Sequence, residues 1–367
     1  MASKSASLRK AQVPLSCHFC NEQEVHWKCE ECDVFMCSSC KEKIHQRLKS
    51  AQDHEIIHVS DLSKENRSQR KVESKVISSV FNFYTTEVPC INSLLCSGDD
   101  YVYFMCHNPE ENARLVKGKM LKSSIRILQT LEKAMFDIAV NKKCEIFITK
   151  MTDKSNVCIV TSSGEIKTVL DTSPMIPLSL HVNKDNELVV GFREQGPADQ
   201  ISEFSVRQVI IFDIYFKRKV TLETDTKGRK LFSYPARIKT DSKNVLYVAD
   251  WIEEDNTGRI VAVDTNGRLK FTYNGNPDLK AFSPHGIAIT TSDNIILSDF
   301  KNNALHVLNS RGEVLGLHFV DKEYEIQRPV SLCIDNEGYL LIGNCPFVDN
   351  IHNSANIYVT KIVDHFM

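Results

Sequence analysis

The sequence predicts a mainly β protein, a small zinc-stabilised module followed by a six-bladed β-propeller. Three observations support this. Eight cysteines and histidines stand in a metal-ligand pattern between residues 17 and 54. From Val76 onward, a unit of short apolar runs separated by polar turns recurs with imperfect period. Six such units fill residues 76–367 at about 49 residues each, and four strands per unit is the make-up of a propeller blade.

At 367 residues the chain has ample material for two units with a core. Its 42% hydrophobic and 25% charged content is ordinary for a globular protein. The 45 basic and 47 acidic residues give a net charge of −2, so no global basic field advertises nucleic acid. The first 75 residues hold 13 basic and 11 acidic residues, leaving 32 and 36 for the rest, and neither part is a polybasic arm. No apolar run approaches the roughly 18–20 residues of a membrane span. The opening MASKSASLRKAQVPLS lacks the apolar middle of a signal peptide. The expectation is a cytoplasmic protein without a membrane partner. In such a reducing compartment, closely spaced cysteine pairs are metal ligands rather than disulfides.

Residues 1–14 read as a disordered N-terminus and residues 15–59 as the zinc module. The ligands Cys17, Cys20, Cys29, Cys32, Cys37, Cys40, His45 and His54 include three successive Cys-x2-Cys pairs, each able to present two thiolates from one knuckle. Eight ligands divide into two closed four-ligand sites, hence two zinc ions and no vacancy for a reacting water. A cross-braced arrangement joins Cys17 and Cys20 with Cys37 and Cys40, leaving Cys29, Cys32, His45 and His54 for the second ion. A sequential arrangement takes the first four ligands for one ion and the last four for the other. Cross-bracing is preferred because it closes two overlapping loops in a segment where metal must supply most of the folding free energy. His18, His26 and His58 are rivals for the histidine positions. Trp27, Val34, Phe35, Ile44 and Leu48 are the expected small core, with Trp27 also a candidate self-association residue. The other seven cysteines (Cys90, Cys96, Cys106, Cys144, Cys158, Cys333 and Cys345) are scattered among apolar residues and read as buried free thiols.

Residues 60–75 are polar, without sustained heptads, and form a linker rather than a coiled coil. The run Val76–Tyr84 is a strand with no inner partners of its own. Unit openings follow near Pro89, Phe136, Pro177, Pro235, Pro284 and Pro329. Within a unit, strands of four to seven residues alternate with Asn-Gly, Ser-Gly and Arg-Gly turns, the mark of antiparallel hairpins. The last unit stops after a third strand, NIYVTKIV, so strand 76–84 is expected to supply its fourth and close the ring.

Two resemblances attach to these motifs. The cysteine-histidine spacing, with His45 in KIHQRL and His54 in QDHEIIHV, resembles the B-box zinc finger of the tripartite-motif family over about residues 15–59. The commoner second-type B-box has a His and an Asp where this chain has Cys20 and Cys32, so the ligand set is closer to the first type. Members of that family usually carry a RING finger before the B-box and a coiled coil after it. The 16 residues before Cys17 are too few for a RING. The segment PHGIAI…NIILSDFKNNALHVLNSRGEVL resembles the NHL repeat, well over 284–315, moderately over 235–273 and weakly in the first three units.

The resemblances imply a non-catalytic adaptor: a B-box for self-association or partner contact, and an NHL-like propeller that recognises a protein. The family includes ubiquitin ligases, whose chemistry depends on the RING. No autonomous ligase activity is therefore expected, and the ligase alternative is a component acting with a RING partner. In each unit the loop between the second and third strands is long and irregular, on the same face as the crossings between units, where recognition usually resides. Phe192, Trp251, Phe300 and Phe347 open such loops and are the candidate partner-binding residues. RNA binding through this face is the alternative function, disfavoured by the propeller's net charge of −4. Catalysis at the channel mouth would need converging His and carboxylate ligands, and His285 is the only histidine at a unit opening.

Overall fold

The computed structural model describes residues 16–20, 25–29, 32, 34–47, 54, 56–59, 75–98, 100–106, 113–133, 135–150, 155–161, 164–196, 204–252, 256–346 and 354–367. The linker 60–74, Leu48 and most of the long loops lie outside them. The chain divides into two compact units, Met1–Val72 and Glu73–Met367. Among the described residues no helix is long and apolar enough to cross a membrane.

The first unit holds a three-stranded antiparallel sheet, ordered Val34–Met36, Trp27–Cys29, Ile56–His58. Trp27 lies opposite Met36 and Cys29 opposite Val34. Strand alternation puts these four on one face. They pack there with Cys17, Cys37, Cys40, Phe19 and Ile56. Phe35 takes the other face, under the Lys28 ammonium, and Ile44 is 38% exposed. The core expected of Phe35 and Ile44 is therefore supplied by Phe19, Met36 and Ile56. A six-residue helix, Ser38–Lys43, follows, with Lys41 and Lys43 at its negative C-terminal end.

Among its described residues the second unit contains six four-stranded antiparallel sheets. Sheets 1 to 5 occupy residues 93–132, 135–171, 176–222, 235–273 and 284–319 in order of sequence. Sheet 6 takes its first three strands from 329–362 and its outer strand from Ile77–Thr85. The first strand of each sheet packs beside the first strand of the next, and that of sheet 6 returns to that of sheet 1. This is the cyclic arrangement of a β-propeller.

Hydrophobic burial follows the same cycle. Six core clusters each lie between one sheet and its neighbour, the last between sheets 6 and 1. In strand Leu246–Trp251, Leu246 and Val248 face sheet 3, while Tyr247 and Ala249 face sheet 5. A strand buried on both faces must be apolar at successive positions, which is why these strands read as continuous runs. Fully burying each such Leu, Ile or Val is worth about 1.5–3 kcal/mol.

Polar side chains set the edges of this pattern. The Asn141, Asn183, Asp241 and Asp335 side chains each accept the backbone N–H groups two and four residues on, fixing the turn after the first strand. Ser179 Oγ donates to the Pro235 carbonyl and Ser331 Oγ to the Ile91 carbonyl, both at 2.7 Å, tying each inner strand to the sheet beyond. At the closing strand, His318 Nδ1 accepts from the Val76 and Ile77 N–H groups at 3.3 and 3.4 Å. Its Nε2 donates to Glu323, which also pairs with Lys75.

Candidate metal centres and binding face

The eight N-terminal ligands fall into two groups, each with its ligand atoms within 4.8 Å of one another: Cys17, Cys20, Cys37 and Cys40, and Cys29, Cys32, His45 and His54. First and third pairs come together, as do the second pair and the histidines. Local structure explains this. Cys29 ends the central strand, Cys37 caps the helix and Cys40 lies on it, and His45 opens the turn that follows. His18 and His26 are in neither group. His58 lies against the rings of His26 and Trp27.

The spacings suit a tetrahedral ion. With metal–sulfur and metal–nitrogen bonds of about 2.3 and 2.05 Å, tetrahedral edges are about 3.8 Å between sulfurs and 3.6 Å from sulfur to nitrogen. Cys20 and Cys37 sulfurs are 3.8 Å apart, Cys29 Sγ is 3.6 Å from His54 Nδ1 and Cys32 Sγ is 3.6 Å from His45 Nε2, while Cys32 Sγ lies nearer to His54 Nδ1, at 3.2 Å. Burial pushes the Cys17 thiol up, but hydrogen bonds with the backbone of Cys37, Phe19 and Cys20 outweigh it and hold it at about 6. Burial and the neighbouring Cys20 and Cys37 thiols push Cys40 upward. Thiols packed this closely ionise together only around a cation.

In the second unit, the ends of the second strands and the starts of the first strands form the loop-rich face. Tyr234 stacks on Trp251 (5.7 Å between ring centroids), and Trp251 lies 5.1 Å from His285. His285 stacks on Phe300 at 4.8 Å, and the Arg328 guanidinium lies 4.2 Å from the Phe300 centroid. On the other flank, Phe136 approaches Tyr234 at 6.4 Å and carries the Arg237 guanidinium at 5.7 Å. A continuous chain of aromatic rings thus runs along this face with an arginine at each end.

Hydrogen bonds hold the chain rigid. Trp251 Nε1 donates to the Pro284 carbonyl at 2.8 Å, and His285 Nδ1 donates to the Ser283 carbonyl at 3.1 Å. Burial holds the His285 imidazole down at about 4 despite that bond, with Arg237 and Arg328 adding to the effect. Burial likewise raises the Tyr234 phenol. Acidic groups interleave with the basic ones: Arg207 pairs with Glu194 at 2.9 Å and Arg259 with buried Asp250 at 3.0 Å. Burial raises the Asp250 carboxyl against the opposing pull of Arg259.

Of the four aromatic residues expected at this face, Trp251 and Phe300 are half-buried members of the chain. Phe192 is not at the surface: it is 2% exposed and packs between sheets 2 and 3, edge-on to Phe212. It belongs to strand Leu188–Arg193 rather than to the loop, so strand pairing commits its side chain to the core. Phe347 lies outside the described residues. The residues that sequence reasoning passed over, Tyr234, Arg237 and Arg328, lie within two residues of Pro235 or Pro329. The prolines that open sheets 4 and 6, Pro235 and Pro329, were the available signal. Among the described residues, the only clusters of three or more His, Cys, Asp or Glu with metal-binding spacing are the two N-terminal groups.

No protein-family model matches the chain, and no curated protein matches its sequence. Solved structures do match the fold. A gluconolactonase from Xanthomonas campestris is 11% identical with a TM-score of 0.55, covering 80% of this chain and 99% of that one. A calcium-binding regucalcin from Agrobacterium tumefaciens is 12% identical with a TM-score of 0.54, covering 78% and 97%. The PQQ-bound aldose sugar dehydrogenase of Streptomyces coelicolor gives 12% and 0.54, over 78% and 97%. At these identities the likeness establishes the β-propeller fold and nothing about chemistry.

Proposed function

We propose that this chain is a zinc-dependent, non-catalytic adaptor. Its first unit is a B-box-like module of tripartite-motif type binding two zinc ions, used for self-association or partner contact. Its second is a six-bladed NHL-like propeller that recognises a protein segment on the loop-rich face. The observation that carries the reading is the interleaving of the eight ligands into two complete quartets. Each quartet would fill all four positions of a tetrahedral ion, so ions held there would be structural and leave no position for a substrate.

The aromatic chain from Phe136 to Phe300, ended by Arg237 and Arg328, supports the recognition role. Rigid rings supply contact area at little entropic cost, and the arginines favour an acidic partner segment. A protein is favoured over RNA because the partly exposed Glu194 interrupts the basic groups, where a nucleic-acid track needs a continuous positive strip.

The full chain, titrated with acidic, basic and neutral peptides and with single-stranded RNA at rising salt, tests this reading. Acidic peptides should bind, and Arg328→Asn should weaken them about tenfold through loss of one charge-assisted contact. Asn suits this position because Arg328 has a φ of 49°, a left-handed conformation that Asn tolerates. RNA binding with a steep salt dependence and no peptide binding would overturn the assignment.

A further inference from the structure

The propeller's cysteines, scattered in sequence, are gathered in space. Of the seven, Cys90, Cys96, Cys106, Cys333 and Cys345 all belong to or pack against the single core cluster between sheets 6 and 1. Four of them form two pairs across that junction. Cys90 lies beside Cys345 and Cys96 beside Cys333, each thiol shifting the acidity of the other.

The backbone holds the first pair in place. The Ile91 N–H donates to the Asn344 carbonyl at 3.0 Å, setting Cys90 and Cys345 on facing segments. Cys345 in turn donates its N–H to the Arg328 carbonyl at 3.1 Å. Cys96 and Cys333 lie on the first strands of sheets 1 and 6, which pack side by side.

We propose that Cys345 and Cys90 are a peroxide-oxidisable dithiol, an oxidative modification site that staples sheet 6 to sheet 1. Cys345 is the attacking thiol because it is half-buried, whereas Cys90 is 8% exposed. The neighbouring Cys90 thiol holds the Cys345 thiol below its ordinary range against burial, and the Arg328 charge adds to this; Cys90 is raised. A lowered, accessible thiol beside a resolving partner is the arrangement of a redox-active pair.

The Cys345 thiolate attacks one oxygen of hydrogen peroxide and breaks the O–O bond. The leaving hydroxide takes up the thiol proton as water, and Cys345 becomes a sulfenic acid. The Cys90 sulfur then displaces hydroxide from the Cys345 sulfur, and its own proton leaves with it as a second water. Two thiols and one peroxide give one disulfide and two waters, the thiols being oxidised and the peroxide reduced. Cys96 and Cys333 form a second pair with the same stoichiometry.

The test oxidises the full-length protein with hydrogen peroxide, blocks remaining thiols, digests without reduction and reads linked peptides by mass spectrometry. A Cys90–Cys345 peptide that reductant abolishes is expected, with the melting temperature of the propeller transition raised by the cross-link. In Cys90→Ser, a sulfenic-acid probe should label Cys345; in Cys345→Ser, labelling of Cys90 should be absent. Should a variant fail to fold, the wild-type linked peptide still decides. Absence of that peptide after full oxidation of Cys345 overturns the proposal, as does its pairing with another cysteine. Faster labelling of Cys90 than of Cys345 overturns the assignment of the attacking thiol.

Discussion

The Arg237 guanidinium reaches the backbone carbonyl of Asn92 at 3.1 Å, although the two residues belong to opposite sides of the ring. Arg237 lies on the first strand of sheet 4 and Asn92 immediately precedes that of sheet 1, three places away around the cycle. A second arm donates to the Ala236 carbonyl at 2.8 Å, and the guanidinium lies over Phe136. The side chain therefore bridges three sheets across the axis. Arg237→Met keeps the stem and removes the donors, and should cost about 1–3 kcal/mol in chemical denaturation. Arg237→Lys keeps the charge without the planar fork and should recover only part of it.

His285 makes stability depend on pH in a defined window. Its folded-state value of about 4 lies below the ordinary 6.5, with burial as the chief cause. Between those values the unfolded chain binds a proton that the folded chain does not, so stability rises with pH from about 4 to 6.5 and is flat above. Acidification through this window should remove on the order of 2–3 kcal/mol through this residue. His285→Phe keeps a ring between Trp251 and Phe300 and has no proton to bind. The difference in urea stability between wild type and variant, measured from pH 4.5 to 8, should slope below pH 6.5. A difference independent of pH would show that His285 is not buried neutral.

Gly286 sits where sheet 5 comes close to the backbone of sheet 6. A Cβ added there would lie 2.9 Å from both the Leu332 nitrogen and the Val330 carbonyl oxygen. Backbone cannot move aside as a flexible side chain can, so Gly286→Ala should destabilise by about 1–3 kcal/mol through overpacking. Gly98→Ala is the control, because its Cβ would meet only Asn336 Nδ2 at an ordinary 3.6 Å. Thermal melts of the two variants should separate clearly. Equal melting points would mean that the sheets can part without cost.

The unit that carries Gly286 was legible in the sequence from its opening PHGIAI, and the sheets were legible as apolar runs cut by polar turns, but the tight contact at Gly286 itself was not. What pattern could not reach is which residues of different sheets meet. The chain of rings from Phe136 to Phe300 joins side chains from sheets 2, 4 and 5, a neighbourhood created only when the ring closes. Phe192 shows the opposite error. Its place one residue before the end of an apolar run made it look like the start of a loop, but its backbone pairs with Gln208, which keeps it in the strand and turns its ring inward. The seven later cysteines read as isolated thiols because the contacts between residues 90 and 345, or 96 and 333, are invisible to spacing.

The pairing of the N-terminal ligands gives a prediction that separates the cross-braced from the sequential arrangement. Both contain one all-sulfur site and one mixed sulfur–nitrogen site, so metal content alone does not distinguish them. They differ in which site Cys29 serves: the cross-braced grouping places it with Cys32, His45 and His54. Cobalt(II), which takes tetrahedral sites and reports thiolate ligation through its absorption, should load two ions per chain. Cys29→Ser should then weaken only the mixed-ligand signal and leave the four-sulfur signal intact, while Cys37→Ser should do the reverse. Loss of the four-sulfur signal on Cys29→Ser would establish the sequential pairing instead. Chelation should unfold this unit, whose core is a handful of side chains (Met36 with Phe19, Val25, Trp27, Val34 and Ile56) packed on the ligand cysteines, because binding free energy there is folding free energy. The melting transition of residues 73–367 should be unmoved by the same chelator, since six apolar clusters hold that unit without metal.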